Sequence, residues 1–114
     1  MELEEIRKYC LSKKGATEDL PFDDKTLVFK VGGKMFALLD LEKKRGINLK
    51  CNSEKAIEIR ERYHFVVPGY HMSKKHWNTV MFDAELKTKQ LYEWIDDSYD
   101  LVFSSLTQKE KLLV

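Results

Sequence analysis

Thr26-Leu27-Val28-Phe29-Lys30-Val31-Gly32-Gly33-Lys34-Met35-Phe36-Ala37-Leu38-Leu39-Asp40 is the stretch that decides the fold. Its first six residues are mostly β-branched, aromatic or apolar, the composition of a half-buried strand. Gly32-Gly33 follows, and two glycines supply the positive φ angles that a tight primed turn demands. Lys34 to Asp40 then resumes the apolar pattern, so the segment reads as a β-hairpin. Downstream, Lys43-Lys44-Arg45-Gly46 makes a basic turn. Ile47-Asn48-Leu49-Lys50-Cys51 alternates apolar and polar residues. A period of two makes it a third strand, with Ile47, Leu49 and Cys51 toward the core.

Helical spacing frames this block. Leu3, Ile6 and Cys10 recur at helical spacing in residues 2–13, with Lys13 and Lys14 in the last turn and Gly15 as the C′ candidate. Residues 16–25 read as an acidic loop carrying Glu18, Asp19, Asp23 and Asp24 around Pro21-Phe22. Beyond the third strand, Asn52 or Ser53 caps a helix over about 54–63 whose buried stripe is Ala56, Ile57, Ile59 and Tyr63. Phe65-Val66-Val67 is a short strand ended by Pro68-Gly69, and Trp77 to Phe82 is another. Thr88 opens a long helix to about Leu106, with Leu91, Ile95, Val102 and Leu106 on one face and Trp94 and Tyr99 nearby. Thr107-Gln108-Lys109-Glu110 has capping-box form and starts a short tail helix. The order α-β-β-β-α-β-β-α predicts an α+β fold: a five-stranded antiparallel sheet with helices packed on one face.

A chain of 114 residues is the length of one domain, residues 1–114. Hydrophobic residues at 43% and charged ones at 34% are a globular composition, which excludes a disordered or collagenous chain. Cys10 and Cys51 lack CxxC partners and do not make a disulfide framework, so the expectation is a cytoplasmic protein with reduced thiols. No apolar run approaches the ~18 residues of a membrane span. The start, Met1-Glu2-Leu3-Glu4-Glu5, is acidic and unlike a signal peptide.

Residue-level chemistry is sparse. His64, His71 and His76 are the three histidines, and no GxSxG motif is present. A Cys51–His dyad would need tertiary proximity, and a cysteine ending an alternating strand is more often a small buried hydrophobe. His71 and His76 lack the i, i+4 spacing that sets two ligands on one helix face. The acidic loop lacks the Asp-x-Asp-x-Asp-Gly calcium pattern, and Gly32-Gly33 sits between two strands, with no helix N-terminus for a phosphate. The expectation is therefore no catalytic residue, no cofactor and no metal.

Charge is distributed unevenly, although the net value is +1. Residues 43–76 hold nine Lys/Arg against three acids, while the rest of the chain holds eleven against sixteen. Lys43, Lys44 and Arg45 on one turn and Lys74, Lys75 and His76 on another could meet as two basic projections that neutralise phosphates, with Lys50 adding to them. Tyr70 and His71, in the same polar and aromatic run, could contact bases or sugars. A single basic face joining both loops favours nucleic acid. Two separate patches favour the alternative, an adaptor for a protein or small ligand with the 68–80 stretch as a pocket wall.

That stretch carries a resemblance. Pro68-Gly69-Tyr70-His71-Met72 and Lys74-Lys75-His76-Trp77-Asn78-Thr79-Val80 resemble the MmcQ/YjbR family of small bacterial proteins. So do Gly15-Ala16-Thr17-Glu18 with Pro21-Phe22, Asn48-Leu49-Lys50-Cys51, and Asp97-Ser98-Tyr99 with Leu101-Val102. The resemblance implies a YjbR/CyaY-like fold with a curved antiparallel sheet, a double-wing arrangement and DNA as partner. It implies no enzymatic activity. Frataxin-like proteins share the fold and bind iron through an acidic first helix. Here Glu2, Glu4 and Glu5 are mixed with Arg7, Lys8, Lys13 and Lys14, which weakens an iron reading. The expectation is a non-enzymatic DNA-binding protein, with the oligomeric state left open and a monomer favoured.

Overall fold

A computed structural model describes residues 2–69 and 72–114. The elements are α1 (Leu3–Leu11), β1 (Thr17–Asp19), β2 (Thr26–Val31), β3 (Lys34–Asp40), β4 (Gly46–Lys50), α2 (Ser53–Arg62), β5 (Val66–Pro68), β6 (Trp77–Met81), α3 (Thr88–Ser104) and α4 (Gln108–Leu112). The strands form one six-stranded sheet in the order β1-β2-β3-β4-β6-β5, and every pairing is antiparallel. The expected five strands become six because Thr17–Asp19, read as part of an acidic loop, pairs with Val28–Lys30. A three-residue edge strand rich in acids has no period of its own, and its partner strand creates it.

The expected hairpin is present. Gly32 and Gly33 have φ of +58° and +80°, the left-handed pair that the turn needs. One irregularity lies just beyond it: Phe29 pairs with Ala37 but Lys30 pairs with Met35, so Phe36 is an extra residue in β3. This bulge lets Phe36 and Ala37 both enter the main core.

That core lies on one face of the sheet. Phe29, Leu39, Ile47, Leu49 and Val80 from the strands meet Ile6 and Cys10 of α1 and Leu91, Ile95 and Val102 of α3. α2 covers the same face, because Ile59 packs on this cluster and Asn78 Nδ2 of β6 donates to Ala56 O at 3.2 Å. The opposite face carries a smaller cluster of Val28, Leu38 and Trp77, bordered by Met35 and Met72, with no helical residue in it. The helices thus pack on one side only, as expected.

Three local readings change. α1 ends at Leu11 with Ser12 as its C-cap, so Gly15 at φ +70° serves the exit loop and is not the C′ residue. Lys13 instead forms an ion pair with Asp96 of α3, beside Tyr9, whose hydroxyl donates to Asp96 Oδ1 at 2.6 Å. Ile57 is 50% exposed and leaves the stripe of α2, which buries Ala56. Cys51 lies one residue past β4 and is half-buried, not in the core. The expected helix caps fare better: Asn52 accepts from Lys55 N at 2.9 Å, and Thr107 and Glu110 form a capping box.

Candidate functional site

The register between β4 and β6 determines where the basic loops lie. Gly46 pairs with Met81 and Lys50 pairs with Trp77. The turn holding Lys43, Lys44 and Arg45 therefore sits beside the C-terminal end of β6, where Phe82 N donates to Arg45 O at 2.7 Å. The loop holding Lys74, Lys75 and His76 sits at the other end, where Cys51 N donates to His76 O at 2.7 Å. Four residue steps of β4 separate the two loops, roughly 13 Å of strand. They do not meet as one basic projection, which corrects that expectation. The reason is that antiparallel pairing sends consecutive turns to alternate ends of a sheet.

Lys43, Lys44, Arg45, Lys74 and Lys75 are all exposed, and none is in an ion pair among the described residues. Lys44 takes φ +54°, the left-handed conformation that tightens its turn. Lys50 and His76 are half-buried. Tyr70 and His71 lie outside the described residues. The second loop is held on both sides. Arg60 Nη1 of α2 donates to Lys74 O at 2.8 Å, and the N–H groups of His76 and Trp77 both donate to Ser73 O, at 3.2 and 2.9 Å. Met72 packs on the Val28–Leu38–Trp77 cluster, which places this loop against the helix-free face. On that face Thr79 Oγ1 donates to Asn48 Oδ1.

The helix-covered face carries a second feature, a cleft of about 270 Å³ where the start of α2 faces α3. Cys51, Asn52 and Lys55 border one side, and Asp97, Asp100 and Ser104 the other. It adjoins an inner pocket of about 20 Å³ walled by Leu49, Ile59, Val80 and Trp94 and by Asn78. Lys55 Nζ spans the cleft to Asp97 Oδ2 at 3.1 Å, and this hydrogen bond raises the lysine's pKa. The Cys51 thiol is also pushed up, chiefly by burial, so it is held as a thiol and not as a nucleophilic thiolate. Asn78 is 4% exposed, and its Oδ1 has no hydrogen-bond partner among the described residues.

Sequence reasoning passed over two groupings. Ser98, fully buried on α3, accepts from Lys50 N at 2.8 Å and donates to Phe36 O at 2.5 Å. It also passed over His64, Asp83 and Glu85, whose ligand atoms lie within 4.8 Å of one another on the surface. His64 Nε2 is 2.9 Å from Glu85 Oε2, and that hydrogen bond raises the imidazole's pKa. His64 and Glu85 are 21 residues apart and share no motif, so only the meeting of the α2–β5 and β6–α3 connections brings them together.

Comparison with known proteins agrees with this architecture. The YjbR family model matches residues 11–101. The uncharacterized protein YjbR of Escherichia coli is 34% identical over 116 aligned residues, covering 100% of this chain and 98% of that protein. The uncharacterized protein YyaQ of Bacillus subtilis is 27% identical, covering 86% of this chain and 95% of its own length. A crystal structure of Deinococcus radiodurans protein DR2400, with a DUF419 domain, superposes with a TM-score of 0.89 at 36% identity, over 97% of this chain and 86% of that one. A Pseudomonas syringae protein superposes with a TM-score of 0.74 at 27% identity, over 90% of this chain and 99% of its own. With a family model spanning most of the chain and a full-length relative above 30% identity, this chain belongs to the YjbR family.

Proposed function

We propose that this protein is a non-enzymatic DNA-binding module that docks with the helix-free face of its sheet. The reading replaces the single joined face first expected for nucleic acid by two points of contact, and the observation that carries it is the spacing of two exposed basic loops at opposite ends of β4 and β6. Their separation, roughly 13 Å along the strand, is close to the ~12 Å width of the DNA major groove. Lys43, Lys44 and Arg45 hold phosphates on one side and Lys74, Lys75 and His76 on the other. Lys50 ends β4 beside the second loop, and Tyr70 and His71 belong to that loop's sequence. Sheets are established readers of DNA grooves.

Two-point docking makes a measurable claim. Four neutralised phosphates, two per loop, give a log–log salt slope of about −3.6. Fluorescence anisotropy on a labelled duplex, at several salt concentrations, reads it. Replacing Lys43 and Lys44 by Ala removes about half of the slope, and adding Lys74→Ala and Lys75→Ala removes most of the rest. No binding by wild type at about 50 mM salt and micromolar protein defeats the reading.

By the criterion of two separate basic patches, the adaptor for a protein or small ligand is the second reading. Its supporting observation is the α2–α3 cleft, whose inner wall includes Asn78 and Val80 of the 68–80 stretch.

A further inference from the structure

The cleft between α2 and α3 has a chemistry that narrows its occupant, and this inference rests on the ligand-binding reading just given. Both signs of charge face the same space. Lys55 Nζ and Asp97 Oδ2 are 3.1 Å apart across it, and Asp100 lies on the same wall. Both partners of that pair are close to half exposed, so a ligand can part them at low cost. A ligand with one charge would leave one of them unmatched. A ligand with two opposite charges meets both.

The start of α2 borders the cleft through Asn52 and Lys55. The positive end of that helix favours a carboxylate beside Lys55. The inner end is different. Its walls are mostly apolar, from Leu49, Ile59, Val66, Val80 and Trp94, and Asn78 is the fully polar side chain buried among them. Nδ2 of Asn78 is engaged by Ala56 O, whereas Oδ1 is buried and unpaired among the described residues. Buried carbonyls of this kind are normally met by a donor. The inner pocket, about 20 Å³, has room for one group the size of a water molecule.

We propose that this cleft binds a small zwitterion of the amino-acid type whose side chain ends in a hydrogen-bond donor. Its carboxylate faces Lys55 at the start of α2. Its ammonium faces Asp97 and Asp100. Its side chain passes the apolar wall and donates to Asn78 Oδ1. The proposal does not involve the basic loops, so it stands or falls apart from DNA binding.

The test is a thermal-shift and calorimetry series with L-glutamine, L-threonine, L-leucine, glycine, acetate, methylammonium and acetamide, each at about 10 mM so that weak binding still registers. Glutamine or threonine should raise the melting temperature most, leucine and glycine less, and the three non-zwitterions not at all. Lys55→Gln and Asp97→Asn, both at half-exposed positions, should each weaken amino-acid binding about tenfold or more while leaving the free protein's melting temperature nearly unchanged. Asn78→Leu should erase the preference for glutamine over leucine, and its own melt shows whether it is folded. Equal effects of glutamine and leucine on wild type overturn the donor-tipped side chain. Acetate, methylammonium or acetamide binding as well as the amino acids, with loss on Lys55→Gln or Asp97→Asn, overturns the zwitterion but keeps the cleft as a ligand site. No response to any of the seven probes overturns both.

Discussion

Replacing Ser98 by alanine removes one hydroxyl from the middle of α3 and disconnects two strands from that helix. β3 and β4 pair at Ala37–Leu49, so Phe36 and Lys50 would face each other next in the same register. The ladder stops there, and the Ser98 hydroxyl stands between Lys50 N and Phe36 O, accepting from one at 2.8 Å and donating to the other at 2.5 Å. Alanine leaves the Phe36 carbonyl buried without this partner, which costs about 1–3 kcal/mol, and the part-buried Lys50 N–H adds about 1 kcal/mol. Alanine's better helix propensity returns roughly 0.5 kcal/mol. The net loss is about 1.5–3.5 kcal/mol, or a fall of about 6–14 °C in Tm for a domain of this length. Urea unfolding followed by tryptophan fluorescence measures it, and faster hydrogen exchange at the Lys50 amide locates it. A loss under about 1 kcal/mol would refute the reasoning, since it would mean that water or a strand shift satisfies both groups.

Trp94 is 8% exposed and meets Tyr63 edge-on with centroids 5.1 Å apart, so Trp94→Ala should cost about 3–5 kcal/mol in the same urea assay, and a loss below about 1 kcal/mol would show that the helix face was misread. Burial pushes the Cys10 thiol up to about 12 and raises the half-buried Cys51 thiol less, so a chromogenic disulfide at pH 8 should modify Cys51 first and reach Cys10 only after unfolding; equal rates would contradict the burial. The Glu85 hydrogen bond raises His64 above its ordinary 6.5, so the pair's contribution to stability is fully present below that pH and is lost as pH rises through the raised value. In an NMR titration Glu85→Gln should bring His64 back toward 6.5, and an unmoved titration would remove Glu85 as the cause.

Where structure follows from neighbours in the chain, the sequence was legible. Gly32-Gly33 allowed the hairpin because positive φ is a property of those two residues alone. Asn52 and the Thr107–Glu110 capping box marked helix starts because the bonds span three residues. The α1 and α3 stripes appeared as apolar periodicity because Ile6, Cys10, Leu91, Ile95 and Val102 all face one core. β1 was missed for the opposite reason. Thr17-Glu18-Asp19 has no strand pattern, and its pairing with Val28–Lys30 supplies the structure. Ile57 looked like a core residue by spacing, yet the short α2 turns it to solvent.

The candidate sites divide in the same way. Which residues are basic, and that they cluster in two turns, was written in the sequence. Their positions at opposite ends of the sheet came from the β4–β6 register, a pairing of residues some thirty apart in the chain. Lys55 and Asp97, 42 residues apart, face each other only because α2 and α3 share one side of the sheet. Asn78 has no partner for its Oδ1 among the described residues because β6 packs its amide against Ala56. Local backbone preference acts over a few residues and names elements. Register, burial and unmatched polar groups are set by contacts between elements, so they exist only in the folded chain.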